Sequence, residues 1–141
     1  MKLPWRKRLA SDERGAAAVE FALVAPIFAL AVVMIGDGAS LVLHYYDMRA
    51  AVSTAAQYVM VGGSDTSAIR SVAISSWTTR PNAGDVTVSS ACLCGAATNA
   101  CNTLCPDQSV PLSYTTISAT SSFSGTLISQ ALSAQQVVRV R

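Results

Sequence analysis

Residues 16–35 (AAAVEFALVAPIFALAVVMI) form one apolar run interrupted by a single charge, Glu20. At 1.5 Å per residue the run rises roughly 30 Å as a helix, the thickness of a bilayer's hydrocarbon core. It predicts a transmembrane helix first and a buried core helix second. Gly36, Asp37 and Gly38 loosen the pattern without ending it. From Ala39 to Val61 the apolar positions Leu41, Tyr45, Met48, Val52, Ala55 and Val59 recur every three or four residues, with Asp47, Arg49, Ser53 and Gln57 mostly off that stripe. That spacing predicts an amphipathic helix, and Gly62-Gly63 supplies its C-terminal stop. The two halves join into one helix of about 45 residues, roughly 70 Å long.

A second, shorter helix is expected from about Asp65 to Trp77, capped by Ser64 or Asp65 and stopped before Pro81. Beyond Pro81 the chain turns to Ser, Thr, Val and Gly, and the periodicity shortens to two. Residues 85–91, 110–119 and 134–141 predict three short antiparallel strands. The alternation slips between Tyr114 and Ile117, which suggests a bulge or an early strand end, and Thr115–Ser124 reads as an exposed hairpin or loop. The fold class is therefore α+β, a long N-terminal helix with a small head. Its expected divisions are a leader (1–15), a transmembrane helix (16–36), its amphipathic continuation (37–63) and a head (64–141) with a cysteine-rich loop at 92–105. Trp77, Tyr58 and Phe123 are expected in the core of that head.

Charge orients the span. Lys2, Arg6, Lys7, Arg8 and Arg14 precede it against only Asp12 and Glu13, and the segment after it carries Asp37, Asp47 and scattered Arg. The positive-inside rule keeps the N-terminus cytoplasmic and exports the rest. No second basic patch or aromatic platform supports nucleic-acid binding.

Three readings of residues 1–35 compete. A cleaved secretory signal finds a small-x-small site at Ala29-Leu30-Ala31, but the apolar run continues through Val32–Ile35. An ordinary signal anchor fits the hydropathy and leaves Glu20 unexplained. The third reading explains it. An ionisable group inside a bilayer costs several kcal/mol and needs a partner or a task. A cut after Gly15 would place the new α-amino group of Ala16 one helical turn before Glu20, in position for an ammonium–carboxylate pair within the chain or across to a neighbour. Pro26 removes one helical hydrogen bond and loosens the span.

The string RGAAAVEFALVAP resembles the start of the TadE-like proteins, minor pilin-like subunits (pseudopilins) of the tight-adherence, or Flp pilus, secretion system. The resemblance rests on a short basic leader, Gly15 at the cut, small residues at Ala16–Ala18, Glu20 at the fifth mature position, Phe21, and Pro26 in an apolar span. It continues loosely through DMRAAVSTAAQYVMVGG and faintly in LSAQQVVRVR, while the middle of the chain follows no family pattern. It implies processing after Gly15 by a prepilin peptidase and a structural role in pilus assembly. The implied partners are other pilin and pseudopilin subunits, the inner-membrane assembly platform and the lipid bilayer. The implied location is a bacterial inner membrane with the head in the periplasm, or an extracellular pilus. Major Flp pilins are much shorter, which favours a minor subunit; the choice between TadE-like and TadF-like roles stays open. The rival expectation is an uncleaved, membrane-anchored binding or adhesion module.

The four cysteines, Cys92, Cys94, Cys101 and Cys105, fall within one short stretch. An exported head makes two disulfides the expectation ahead of a four-thiolate zinc site, whose usual paired spacing is missing. Three connectivities are possible, and the one-residue spacer strains a Cys92–Cys94 bridge; nested pairs such as Cys92–Cys105 with Cys94–Cys101 would staple a loop between two strands. His44, the only histidine, sits beside Tyr45 and Tyr46 and reads as a residue at headgroup level, and Asp37 reads as a helix-surface or membrane-boundary residue. No G-x-S-x-G, P-loop or H-E-x-x-H string is present, so neither an enzyme nor a cofactor or metal is expected.

Overall fold

The computed structural model describes residues 13–140. The leader before position 13 and Arg141 lie outside the described residues, and with them most of the basic cluster. Helix α1 runs unbroken over Glu13–Met60, 48 residues, through both Pro26 and the Gly36-Asp37-Gly38 junction. Its length is roughly 72 Å. A Schellman motif ends it: Gly62 has φ 105°, Gly62 N–H donates to the Val59 carbonyl at 3.0 Å, and Gly63 N–H donates to the Tyr58 carbonyl at 3.0 Å. Tyr58 is only partly covered, at 36% exposure, and its ring lies over Gly63 rather than in the core as expected. Helix α2 spans Thr66–Ser76, and its N-cap Asp65 accepts a hydrogen bond from Ser67 N–H at 3.0 Å.

The sheet has four strands rather than three, in the order β2-β1-β3-β4, all antiparallel: β1 Asp85–Cys94, β2 Ala97–Asn99, β3 Leu112–Ser124 and β4 Ser129–Arg139. The segment expected as a loop, Thr115–Ser124, is the body of β3. It pairs without a bulge to β4 from Tyr114↔Arg139 to Ser124↔Ser129. Its alternation is intact. Thr115, Ile117, Ala119 and Phe123 face inward, but two of those four are small or polar, so the pattern is weak when read by hydrophobicity alone. Thr115 is satisfied by the Ser90 hydroxyl at 3.3 Å.

The C-terminal half of α1 and all of α2 cover one face of this sheet. Met48, Ala51, Val52, Ala55, Ala56 and Val59 of α1 meet Ile69, Ala73 and Trp77, and below them Val86, Ile117, Ala119, Ala134 and Val138. The alanines let the helix lie close over the strands. Arg70 ties α2 to β1 through Nε to the Val86 carbonyl at 2.8 Å and a 2.7 Å ion pair with Asp85.

The cysteines form two crossed disulfides, Cys92–Cys101 and Cys94–Cys105, not the nested pair offered as an example above. The reason is local: Cys92 and Cys94 share one face of β1, and the chain that leaves β2 after Asn99 passes Cys92 before it reaches Cys94. Non-reducing peptide mapping is expected to return these two links. A Cys94→Ser/Cys105→Ser chain is expected to lose about 2–3 kcal/mol of head stability, read by thermal unfolding. Nested links in the map, or an unchanged melting temperature, would count against this arrangement.

Candidate functional site

Between Gly15 and Ile35 no residue of the helix is buried in its own chain. Phe21 is 75% exposed, and Leu23, Ile27, Phe28, Val32 and Ile35 project on all sides. This part of α1 is long and apolar enough to cross a membrane. An apolar surface so extended and so bare is a mark of a lipid or protein partner. Gly15 lies inside the first turns with open space around it, and Ala16 and Glu20 are exposed one turn apart on the same side. Pro26 sits mid-span. The helix places Ala16 and Glu20 one turn apart, with Phe21 and Pro26 further along the same exposed stretch.

Asp37 begins the change from bare rod to packed helix. It is 8% exposed, and its Oδ2 accepts hydrogen bonds from Leu127 N–H at 2.6 Å and Ile128 N–H at 3.2 Å. The carboxylate thereby caps the β3–β4 turn. Gly125 makes the approach possible: a Cβ there would fall 2.7 Å from the Asp37 carboxyl carbon. The Leu127 amide, followed by the Thr126 amide, holds the Asp37 pKa below the ordinary carboxylate value against the opposing effect of desolvation. Asp37 is therefore a joint between helix and head, which overturns the helix-surface half of the expectation that it lies on the helix surface or at a membrane boundary. A lone aspartate between two glycines after an apolar run was the available signal. Its partner lies 90 residues away, which no local pattern reveals.

His44 also belongs to the head. Its Nδ1 is 3.3 Å from the Thr79 hydroxyl and its ring centroid is 5.5 Å from that of Phe123. The same Thr79 hydroxyl donates to Asp47 at 2.7 Å, and Thr79 N–H donates to the same oxygen at 2.7 Å. Burial works against the Asp47 charge, but the Thr79 hydrogen bonds outweigh it and lower the pKa. This cluster pins the α2–β1 connection to α1. An open groove of about 740 Å³ lies between α1 and β4, lined by Tyr45, Tyr46, Arg49, Ser53 and Gln136 among others. It holds no acid–base pair converging on a nucleophile, and among the described residues no cluster of His, Cys, Asp or Glu is suited to a metal.

The bare rod decides the comparison. Residues 15–57 match the family model of TadE-like protein. The match begins at Gly15, takes in Ala16, Glu20, Phe21, Pro26 and Asp37, and ends inside α1, so the TadE-like segment is the span plus the stripe on which the head is built. The sheet and its disulfides lie outside it. No curated protein and no solved structure matches the chain.

Proposed function

We propose that this chain is a minor pilin-like subunit of a tight-adherence pilus, processed after Gly15 by a prepilin peptidase and assembled through its N-terminal helix. The observation that carries the reading is a bare apolar helix whose lone charge, Glu20, stands five positions after a glycine. Removal of residues 1–15 would free the Ala16 amino group at a helix N-terminus, where its charge is disfavoured by the dipole and relieved by Glu20 one turn on. The bilayer holds the helix before assembly, and neighbouring pilin helices replace lipid afterwards. Partners are then other pilin and pseudopilin subunits, the inner-membrane assembly platform and the peptidase. The head lies on the periplasmic side, where the crossed disulfides persist.

Intact-mass and N-terminal analysis of the membrane-extracted protein, from a host with its prepilin peptidase, tests the reading. The expected product begins at Ala16. A chain that retains residues 1–15 in that host overturns the processing and with it the pilin role.

A further inference from the structure

We propose that the β3–β4 turn, Gly125–Ile128, is a second membrane contact, with Leu127 seated in the lipid interface beside the end of the span. The inference rests on the membrane reading of α1. It comes from four observations at one place. The turn is fixed to Asp37 by hydrogen bonds of 2.6 and 3.2 Å, and Asp37 lies two residues beyond Ile35, about 3 Å along the helix axis. The interfacial layer on each side of the hydrocarbon core is roughly 5–8 Å deep, so the turn falls within it whenever the apolar run fills the core.

Leu127 stands at the apex 52% exposed, with no hydrophobic core of its own to join. The hairpin also carries no charged side chain between Asp107 and Arg139. Arg139 sits opposite Tyr114, at the end of the hairpin far from the turn, so the hairpin itself brings no charge to the membrane, and the Asp37 carboxylate it caps is buried behind the turn's amides. Finally, three of the turn's backbone N–H groups are already engaged. Leu127 and Ile128 N–H donate to Asp37, and Gly125 N–H donates to the Ile128 carbonyl at 2.8 Å. A turn with open amides would resist approaching the hydrocarbon core, whereas this one has those three donors held internally and leaves its carbonyls to the hydrated headgroup layer. With α1 unbroken from bare stretch to head, a single helix can still rotate about its axis and tilt in the bilayer, carrying the head with it. A second contact a few ångströms from the span would set which face of the head looks toward the membrane.

The test uses the full processed chain in phospholipid nanodiscs, with a nitroxide-bearing unnatural residue placed singly at Leu127, at Phe28 in the span, or at Thr103 in the distal loop. Collision rates with oxygen, which partitions into lipid, and with a water-soluble nickel chelate are read by electron paramagnetic resonance. At position 127 the nickel collision rate is expected to be several-fold below that at 103, with oxygen access retained. A label at 127 as open to nickel as that at 103, while 28 is shielded, overturns the contact and leaves the span intact. Exclusion of both reagents at 127 means protein covers the turn and also overturns it. Nickel access at 28 overturns the span itself and the proposal with it.

Discussion

A Glu20→Ala chain is expected to reach the membrane in native amounts and to appear in the sheared pilus fraction at least tenfold less. The two halves of that expectation have separate causes. Alanine replaces the one charge in residues 16–35, so insertion becomes easier, by several kcal/mol on insertion scales. Assembly depends on what Glu20 can pair with. Every other span residue around it is an exposed apolar side chain, and such surfaces pack against neighbours in many registers of similar energy. One ammonium–carboxylate pair in apolar surroundings separates those registers, because a misplaced stagger leaves both charges unpaired. Glu20→Gln keeps the shape and an acceptor but loses the charge, and should behave nearer to Ala than to Glu. Immunoblots of membrane and pilus fractions read both effects. Native incorporation of the alanine variant would remove the glutamate from the mechanism, whatever the processing result.

The features legible in the sequence were those with a local cause. The stripe Met48, Val52, Ala55 and Val59 is buried as its spacing requires, and Ala51 and Ala56 widen it. Gly62-Gly63 stops α1 and Asp65 caps α2, each through contacts within a few residues. What was hidden depended on distant partners. Asp37 read as a helix-surface or membrane-boundary residue because its hydrogen bonds go to residues 127 and 128, and its burial follows from a turn that comes after three strands. The strand nature of Thr115–Ser124 was masked by inward positions filled with Thr and Ala, which suit a pleated surface under an alanine-rich helix but carry little hydrophobic signal. The three-residue strand β2 folds back on β1 through the Gly95-Ala96 turn, and the disulfides then tie the chain that follows it to β1, a pairing that cysteine spacing leaves open among three. The bare span shows the reverse case. Its sequence signal was strong because no residue of it is buried in its own chain, so its apolar run is unbroken by packing demands.

The largest loss of head stability is expected from Met48→Ala. Met48 is fully buried where α1 crosses the sheet; its sulfur lies 3.8 Å from the Ser121 hydroxyl, and it shares a core cluster with Ile117 and Val52. Truncation removes a large unbranched side chain between a helix and strands that cannot close the gap, since crossed disulfides and the Asp37 joint hold the sheet at both ends. Such substitutions cost about 2–5 kcal/mol. In a head this small that corresponds to a fall in melting temperature of roughly 10–30 °C. Met48→Leu conserves volume and should cost less than about 1.5 kcal/mol. Thermal unfolding in detergent, followed by near-ultraviolet circular dichroism, reports on tertiary packing and is insensitive to the helix that the micelle supports. If Met48→Ala melts within a few degrees of the native chain, the head does not depend on this crossing, and α1 would be an anchor the sheet merely rests on.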